Sequence, residues 1–334
     1  MRLRAPAFWW SPDSALAGLL APAAWIYAAI AERRLQQPPR HVSRLPVICV
    51  GNFVAGGAGK TPVTLALAEM LLEDGKRPGV VSRGFGGRMP GPVIVDPAIH
   101  CAQDVGDEPL LLANRALTIV AKDRVAGARA MEREAVDCIL LDDGFQNPSL
   151  RKDQSWVVVD GAVGIGNGKC IPAGPLRARL EWQLPRAHRV VVMGGGAGRD
   201  AMARLCERAG IVMVQACLEP VIEESLRGPG LLAYCGIGRP EKFFDTLTRA
   251  GLRVAHRASF ADHHGFTEAD ARRLLQKARA DGLTPVTTEK DFVRLAHVSG
   301  GAQKELAALS RVVPVRCRFE DRDSVARDLR AVFD

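Results

Sequence analysis

The sequence predicts an α/β fold: a doubly wound, mainly parallel sheet, a second and smaller α/β domain, and an N-terminal hydrophobic helix. Three observations carry this. After residue 40, short continuous apolar runs alternate with helical patterns, as expected of parallel strands covered on both faces. Past about residue 215 the same rhythm continues in shorter pieces. Ahead of residue 40, Ser14 to Ala31 form 18 residues without a charge. The expected division is therefore 1–40 for the helix, 41–215 for the main core and 216–334 for the smaller domain.

The N-terminal stretch is bracketed by Arg2 and Arg4 before it and Arg33 and Arg34 after it. Ser11 as N-cap, with Pro12 at the first helical position, is expected to start the helix. Its length is at the lower limit for a membrane span, and its alanines, Gly18 and Pro22 make it a weak one. A cleaved signal peptide does not fit, because the stretch runs straight into Glu32 with no loop for cleavage. The expectation is a helix lying on a membrane face, with Phe8, Trp9, Trp10, Trp25 and Tyr27 as interfacial anchors. The alternative is a buried, alanine-rich core helix.

The strands of the main core are expected at 46–50, 78–81, 117–121, 137–141, 156–160 and 189–193, with a helix from Lys60 to Asp74. The smaller domain takes strands at 231–235, 285–288 and 312–319 and helices near 240–250 and 268–281. Either 194–199 (GGGAGR) or 227–230 (RGPG) is read as the connector. In such sheets ligands bind beyond the carboxyl ends of the strands.

At 334 residues the chain has room for two cores without disulfides or structural metal. The eight cysteines show no C-x-x-C pair and read as small core residues rather than a zinc site. Lys plus Arg exceed Asp plus Glu by 45 − 37 = 8, which favours anionic partners. Aromatics are only 5% and no RNA- or DNA-binding motif is present, so nucleic acid is not expected as a partner. No obligate protein partner is evident.

Chemistry enters at VICVGNFVAGGAGKTPVTLALAEML, where a glycine-rich loop joins a buried strand to a helix. Gly56, Gly57 and Gly59 permit the backbone angles by which successive N–H groups surround phosphate oxygens, with Val54, Ala55 and Ala58 between and before them. Lys60 is placed to neutralise the β and γ phosphates of ATP, and Thr61 to hold Mg²⁺ through its hydroxyl. The strict loop has glycine six residues before the lysine, where this chain has Val54. The form present resembles the variant loops of ParA-like ATPases and dethiobiotin synthetase.

DCILLDDGFQ ends a buried strand with Asp142 and Asp143, the position of a metal-holding carboxylate in phosphate-loop enzymes. In DVGDEP, Asp107 and Glu108 precede a helical run; by themselves they read equally as favourable charges at a helix start. FADHHGFT offers His263 and His264, either of which suits proton transfer when oriented against a carboxylate.

With these motifs in order, the chain resembles the tetraacyldisaccharide 4'-kinase family of Gram-negative bacteria. The segments that carry the resemblance are VGNFVAGGAGKTP, SRGFGGR, VGDEP, DDGFQ, IPAGPLR, FADHHGF and TTEKD. The resemblance implies transfer of the γ-phosphate of ATP to the 4'-hydroxyl of an anionic acylated glucosamine disaccharide, at the cytoplasmic face of the inner membrane, by a peripheral or monotopic protein. It implies a phosphate loop at Val54 to Thr61 and Mg²⁺ ligation by Thr61, Glu108, Asp142 and Asp143. It makes Asp107 the base, oriented by His263, with Lys60 on the phosphates; His264 remains an alternative to His263. Arg83 and Arg177 are candidates for phosphate contacts, and Lys290 and Asp291 for contacts to the base. Where relatives carry an acid after the arginine of IPAGPLR, this chain has Ala178. The rival expectation is a membrane-recruited regulatory ATPase of the ParA-like class.

Overall fold

The computed structural model describes residues 5–296 and 300–334; Arg2 and Arg4, read above as flanking charges, lie outside them. The first part of the chain gives β1 (Val47–Gly51), β2 (Pro78–Ser82), β3 (Val93–Ile94), β4 (Leu117–Val120), β5 (Cys138–Asp142), β6 (Gln154–Asp160), β7 (Arg189–Met193) and β8 (Val212–Pro220). Then come β9 (Leu231–Cys235), β10 (Val254–Ser259), β11 (Thr284–Thr288), β12 (Arg311–Val313) and β13 (Val315–Phe319).

Nine strands make one sheet in the order β13-β8-β7-β6-β1-β5-β2-β4-β3, and four make a second in the order β10-β9-β11-β12. All pairings are parallel except β3 with β4 and β13 with β8, at the two edges of the large sheet. The apolar runs work as expected of a sheet covered twice. Cys49, Val81, Ile139, Leu141 and Val157 enter one core, while their neighbours Ile48, Val50, Val80, Leu140 and Val158 enter the other. The doubly wound, mainly parallel core is thus observed.

The expected boundary at 215/216 falls inside β8, whose Val214 and Ala216 are buried in the large sheet's core. The second sheet occupies only residues 231–313, so of the two candidate connectors RGPG lies between the sheets, while GGGAGR leads into the Ala197–Ala209 helix. The end of the chain also departs from expectation. The run 312–319, read as one strand, is split at Pro314, which lacks an N–H for the ladder. Before it β12 pairs with β11; after it β13 pairs with β8, and the Pro314 carbonyl accepts the Val221 N–H at 2.8 Å. The following Arg322–Arg330 helix packs Val325 and Leu329 into the large core.

The N-terminal stretch forms two helices, Ala15–Leu19 and Ala21–Leu35. Ser14, not Ser11, is the N-cap, its hydroxyl accepting the Ala17 N–H, and Pro22 sits at the start of the second helix, where its missing N–H costs nothing. Among the described residues no helix is long and apolar enough to cross a membrane. One face of the second helix buries Ala24 and Ala28 in the same core as Phe53, Val54 and Leu176, and Glu32 is held by Arg179 at 2.6 Å. The opposite face exposes Trp25, Ile26 and Ile30. Trp9 and Trp10, expected as interfacial anchors, are half-buried: the Trp9 indole N–H donates to the Pro172 carbonyl at 2.9 Å, and Arg239 lies over the Trp10 ring.

Candidate active site

β1 leads into the glycine-rich turn and the Lys60–Glu73 helix. Gly56 and Gly59 have φ of 116° and 93°, a region that a side chain would strain. The buried Asn52 amide donates to the Gly56 carbonyl at 3.0 Å and fixes the turn. The IPAGPLR segment buttresses it from below: the Ala55 N–H donates to the Pro175 carbonyl at 2.8 Å, the Arg177 N–H donates to the Phe53 carbonyl at 3.0 Å, and Val54 bridges to Leu176. Val54 and Ala58 are buried, which explains the missing first glycine. Val54 and Ala58 serve the core, while Gly56 and Gly57 are exposed at the turn.

β5 ends beside β1 and delivers the two aspartates. The Lys60 ammonium lies 3.9 Å from Asp143, and the Arg177 guanidinium forks onto Asp143 at 3.1 and 3.5 Å while its Nε donates to the Val54 carbonyl at 3.2 Å. Burial opposes ionisation of Asp143, but Lys60 and Arg177 win and hold its carboxyl below the usual range. Asp142 is buried without such a fork. Its Oδ2 accepts the Ser82 hydroxyl at 3.3 Å, and its Oδ1 has no partner among the described residues. Burial, reinforced by the charges of Glu108 and Asp143, pushes its carboxyl up to about 7.

Gly106, with φ of 91°, turns the chain so that Asp107 and Glu108 open the Asp107–Ala113 helix. The close approach is to the SRGFGGR turn, since a Cβ on Gly106 would meet the Phe85 carbonyl at 2.7 Å. Segments that follow β10 and β11 of the second sheet then cover both acids. His263 Nδ1 is 2.9 Å from Asp107 Oδ2, Arg294 donates to the same oxygen through Nε at 3.0 Å and through Nη2, and the Lys290 ammonium reaches Glu108 at 2.9 Å. His263 Nε2 is 3.4 Å from Lys290, and the exposed Phe85 ring stands edge-on to the His263 ring. Burial works against ionising Asp107, but the His263 hydrogen bond and the cations Lys290 and Arg294 hold it well below the usual carboxylate range. For Lys290 burial favours the neutral form and is outweighed by Glu108 and Asp107, so its proton is held more tightly than usual.

His263, not His264, is the histidine that stands beside Asp107. His264 turns away from Asp107: its Nε2 is 2.9 Å from Asp270, and its ring stacks on Phe260 at 4.9 Å. Asp291 is buried, takes the Gly236 N–H at 2.9 Å and pairs with Arg294, and therefore anchors a turn instead of facing a base. Arg83 is exposed at the end of β2. Sequence reasoning missed Arg294 and the loop-holding Asn52. The only signal for Arg294 was a cation one helical turn after Asp291.

The carboxylates fit a divalent cation. Asp142 Oδ1 is an orphaned, buried acceptor, and Glu108 and Asp143 are near enough to Asp142 to raise its carboxyl. No three acidic, histidine or cysteine side chains among the described residues converge to hold a metal alone. Mg²⁺ takes one or two carboxylates and completes its shell with water and phosphate.

A glycine turn at the carboxyl end of a central parallel strand, its lysine beside the acids of the next strand, defines a phosphate-loop nucleotide-binding enzyme. The family model LpxK, tetraacyldisaccharide-1-P 4'-kinase, matches residues 16–334. A tetraacyldisaccharide 4'-kinase of Methylobacterium nodulans is 49% identical, covering 96% of this chain and 94% of its own length. One from Methylobacterium radiotolerans is 47% identical over 99% of each. The chain belongs to the tetraacyldisaccharide-1-P 4'-kinase family. The fold agrees with that of LpxK from Aquifex aeolicus, solved in complex with ATP, at a TM-score of 0.74 and 23% identity, covering 96% of this chain and 100% of that one. The regulatory-ATPase reading is not favoured.

Proposed function

We propose that this chain transfers the γ-phosphate of ATP to the 4'-hydroxyl of tetraacyldisaccharide 1-phosphate in lipid A biosynthesis, with Asp107 as the proton acceptor. The observation that supports this best is the Asp107–His263 pair, 2.9 Å apart, next in the chain to Glu108, whose charge acts on Asp142 together with that of Lys60. A regulatory ATPase has no use for it.

Lys60 and the N–H groups of Gly56 to Thr61 hold the phosphates of ATP, and Arg177 adds positive charge beside Asp143. Thr61, Glu108, Asp142 and Asp143 are the residues that would hold Mg²⁺, which when bound neutralises phosphate charge. The acceptor hydroxyl oxygen bonds to the γ phosphorus as the bond to the β,γ-bridging oxygen breaks, and ADP leaves with that electron pair. The hydroxyl proton passes to Asp107, which His263 orients.

The same reading places the protein on the cytoplasmic face of the bacterial inner membrane as a peripheral or monotopic protein. Leu19, Trp25, Ile26 and Ile30 are more than half exposed, and such an apolar patch on an amphipathic surface suits a lipid interface. The basic balance of the chain suits an anionic lipid substrate.

Incubation with labelled ATP, Mg²⁺ and the acylated disaccharide 1-phosphate tests the proposal. Label should move to the lipid. ATP hydrolysis with no labelled lipid would reject it.

A further inference from the structure

Asp107 Oδ2 is crowded. It receives His263 Nδ1 at 2.9 Å, Arg294 Nε at 3.0 Å and Arg294 Nη2, more donors than a carboxylate oxygen has lone pairs. Among the described residues Oδ1 receives only the Glu108 N–H, at 3.2 Å. The guanidinium that fills Oδ2 is itself rigidly held. Its Nη1 donates to the Gly236 carbonyl at 3.0 Å and to Asp291 Oδ1 at 2.8 Å, and its side chain is 5% exposed. The Gly236 carbonyl also accepts the His263 N–H at 3.0 Å. His263 and Arg294 are thus fixed to one carbonyl and close on one carboxylate oxygen. Gly236 has little slack, for a Cβ there would meet the Ala261 carbonyl at 3.0 Å and His264 Cβ at 3.1 Å.

We propose that Arg294 is a positioning residue for the proton transfer: by occupying Oδ2 together with His263, it leaves Oδ1 of Asp107 as the atom that receives the acceptor's hydroxyl proton. This rests on the function proposed above. A planar guanidinium holds Nε and Nη2 in fixed relation and so pins Oδ2 with two donors at once, which an ammonium on a flexible stem does not do. A carboxylate free to rotate presents its reactive oxygen in the wrong place for part of the time, and loss of orientation lowers rate without loosening nucleotide.

The test measures kcat, KM for ATP and thermal midpoint for Arg294→Ala, Arg294→Lys, Asp107→Ala and the double variant Asp107→Ala with Arg294→Ala, beside the parent protein. Lipid phosphorylation by the parent establishes the underlying activity, so its absence is a failure of the function and not of this inference. Arg294→Lys keeps the charge and loses the fork; kcat should fall at least about tenfold while KM for ATP stays within about twofold. Adding Arg294→Ala to Asp107→Ala should cost nothing further, because residues that act as a unit are non-additive. Ethylguanidinium should restore part of the Arg294→Ala rate, and ethylammonium at the same concentration should not. If Arg294→Ala does not fold, Arg294→Lys carries the test. A parental kcat in Arg294→Lys, equal rescue by both cations, or a further loss in the double variant would overturn the proposal.

Discussion

In the phosphate-loop half of the site, the contacts gather around the strand ends of one sheet. Asn52 reaches Gly56 four positions on, and Lys60 meets the acid that follows the adjacent strand β5. In the Asp107 half, the contacts join residues 156 and 187 positions apart, from segments between strands of two different sheets. The first half is fixed by backbone and packing: Val54 and Ala58 are buried and the IPAGPLR segment is hydrogen-bonded beneath the turn. The second is fixed by charge. Lys290 on Glu108 and Arg294 on Asp107 tie the second sheet to the first. Substitutions in the first half should therefore act on the phosphates alone, whereas those in the second should also loosen the contact between the sheets.

The largest effect is expected at Lys60. Lys60→Ala should abolish turnover with little change in thermal midpoint, since its charge faces phosphate and stabilises charge that develops during transfer. A near-parental kcat would break the assignment of the loop.

Asp107→Ala should lower kcat by about 10²- to 10⁴-fold, the usual range for a general base, and leave ATP affinity almost unchanged. The double variant with His263→Ala should be scarcely slower than the worse single one. Multiplicative losses in a kinetic cycle would separate the two residues. Because both lie between the sheets, these variants should also lower the thermal midpoint, which Lys60→Ala should not.

Asp142 sharpens the comparison through pH. Its carboxyl is raised from 3.8 to about 7, so between those values the native state holds a proton that the unfolded chain has released. Its contribution to stability is full below 3.8 and is lost as pH rises through about 7. At pH 8 with chelator, Asp142→Asn should therefore be more stable than the parent by on the order of 2–4 kcal/mol, and Mg²⁺ should stabilise the parent more. A lower midpoint for Asp142→Asn under those conditions would count against a buried, unpaired acid.

The smallest effect is expected at the outer face of the Ala21–Leu35 helix. Deleting this helix would strip Ala24 and Ala28 from the core, so Trp25, Ile26 and Ile30 replaced together by serine make the cleaner test. KM for lipid should rise severalfold, KM for ATP should hold, and binding to vesicles containing phosphatidylglycerol should fall. Unchanged vesicle binding would remove the membrane role from this face.

The sequence alone determined what depends on neighbours along the chain. Continuous apolar runs gave the central strands, because a strand buried on both faces has no polar side to show. The glycine turn, Lys60 and the acids after β5 could be read because their geometry is local to a strand end. The run 312–319 reads as one strand, and that it breaks at Pro314 and its halves join different sheets was left to the tertiary structure, since pairing partners are chosen by the whole fold. The choice of His263 over His264 also needed the tertiary structure. Adjacent residues point in different directions, and which of them meets Asp107 depends on how the second sheet is seated. Arg294 lies outside the motif segments that carry the resemblance, and only its burial between Asp107 and Asp291 distinguishes it from an ordinary surface arginine. Local chemistry fixed the phosphate loop; desolvated charge pairing across the two sheets fixed the place of the base.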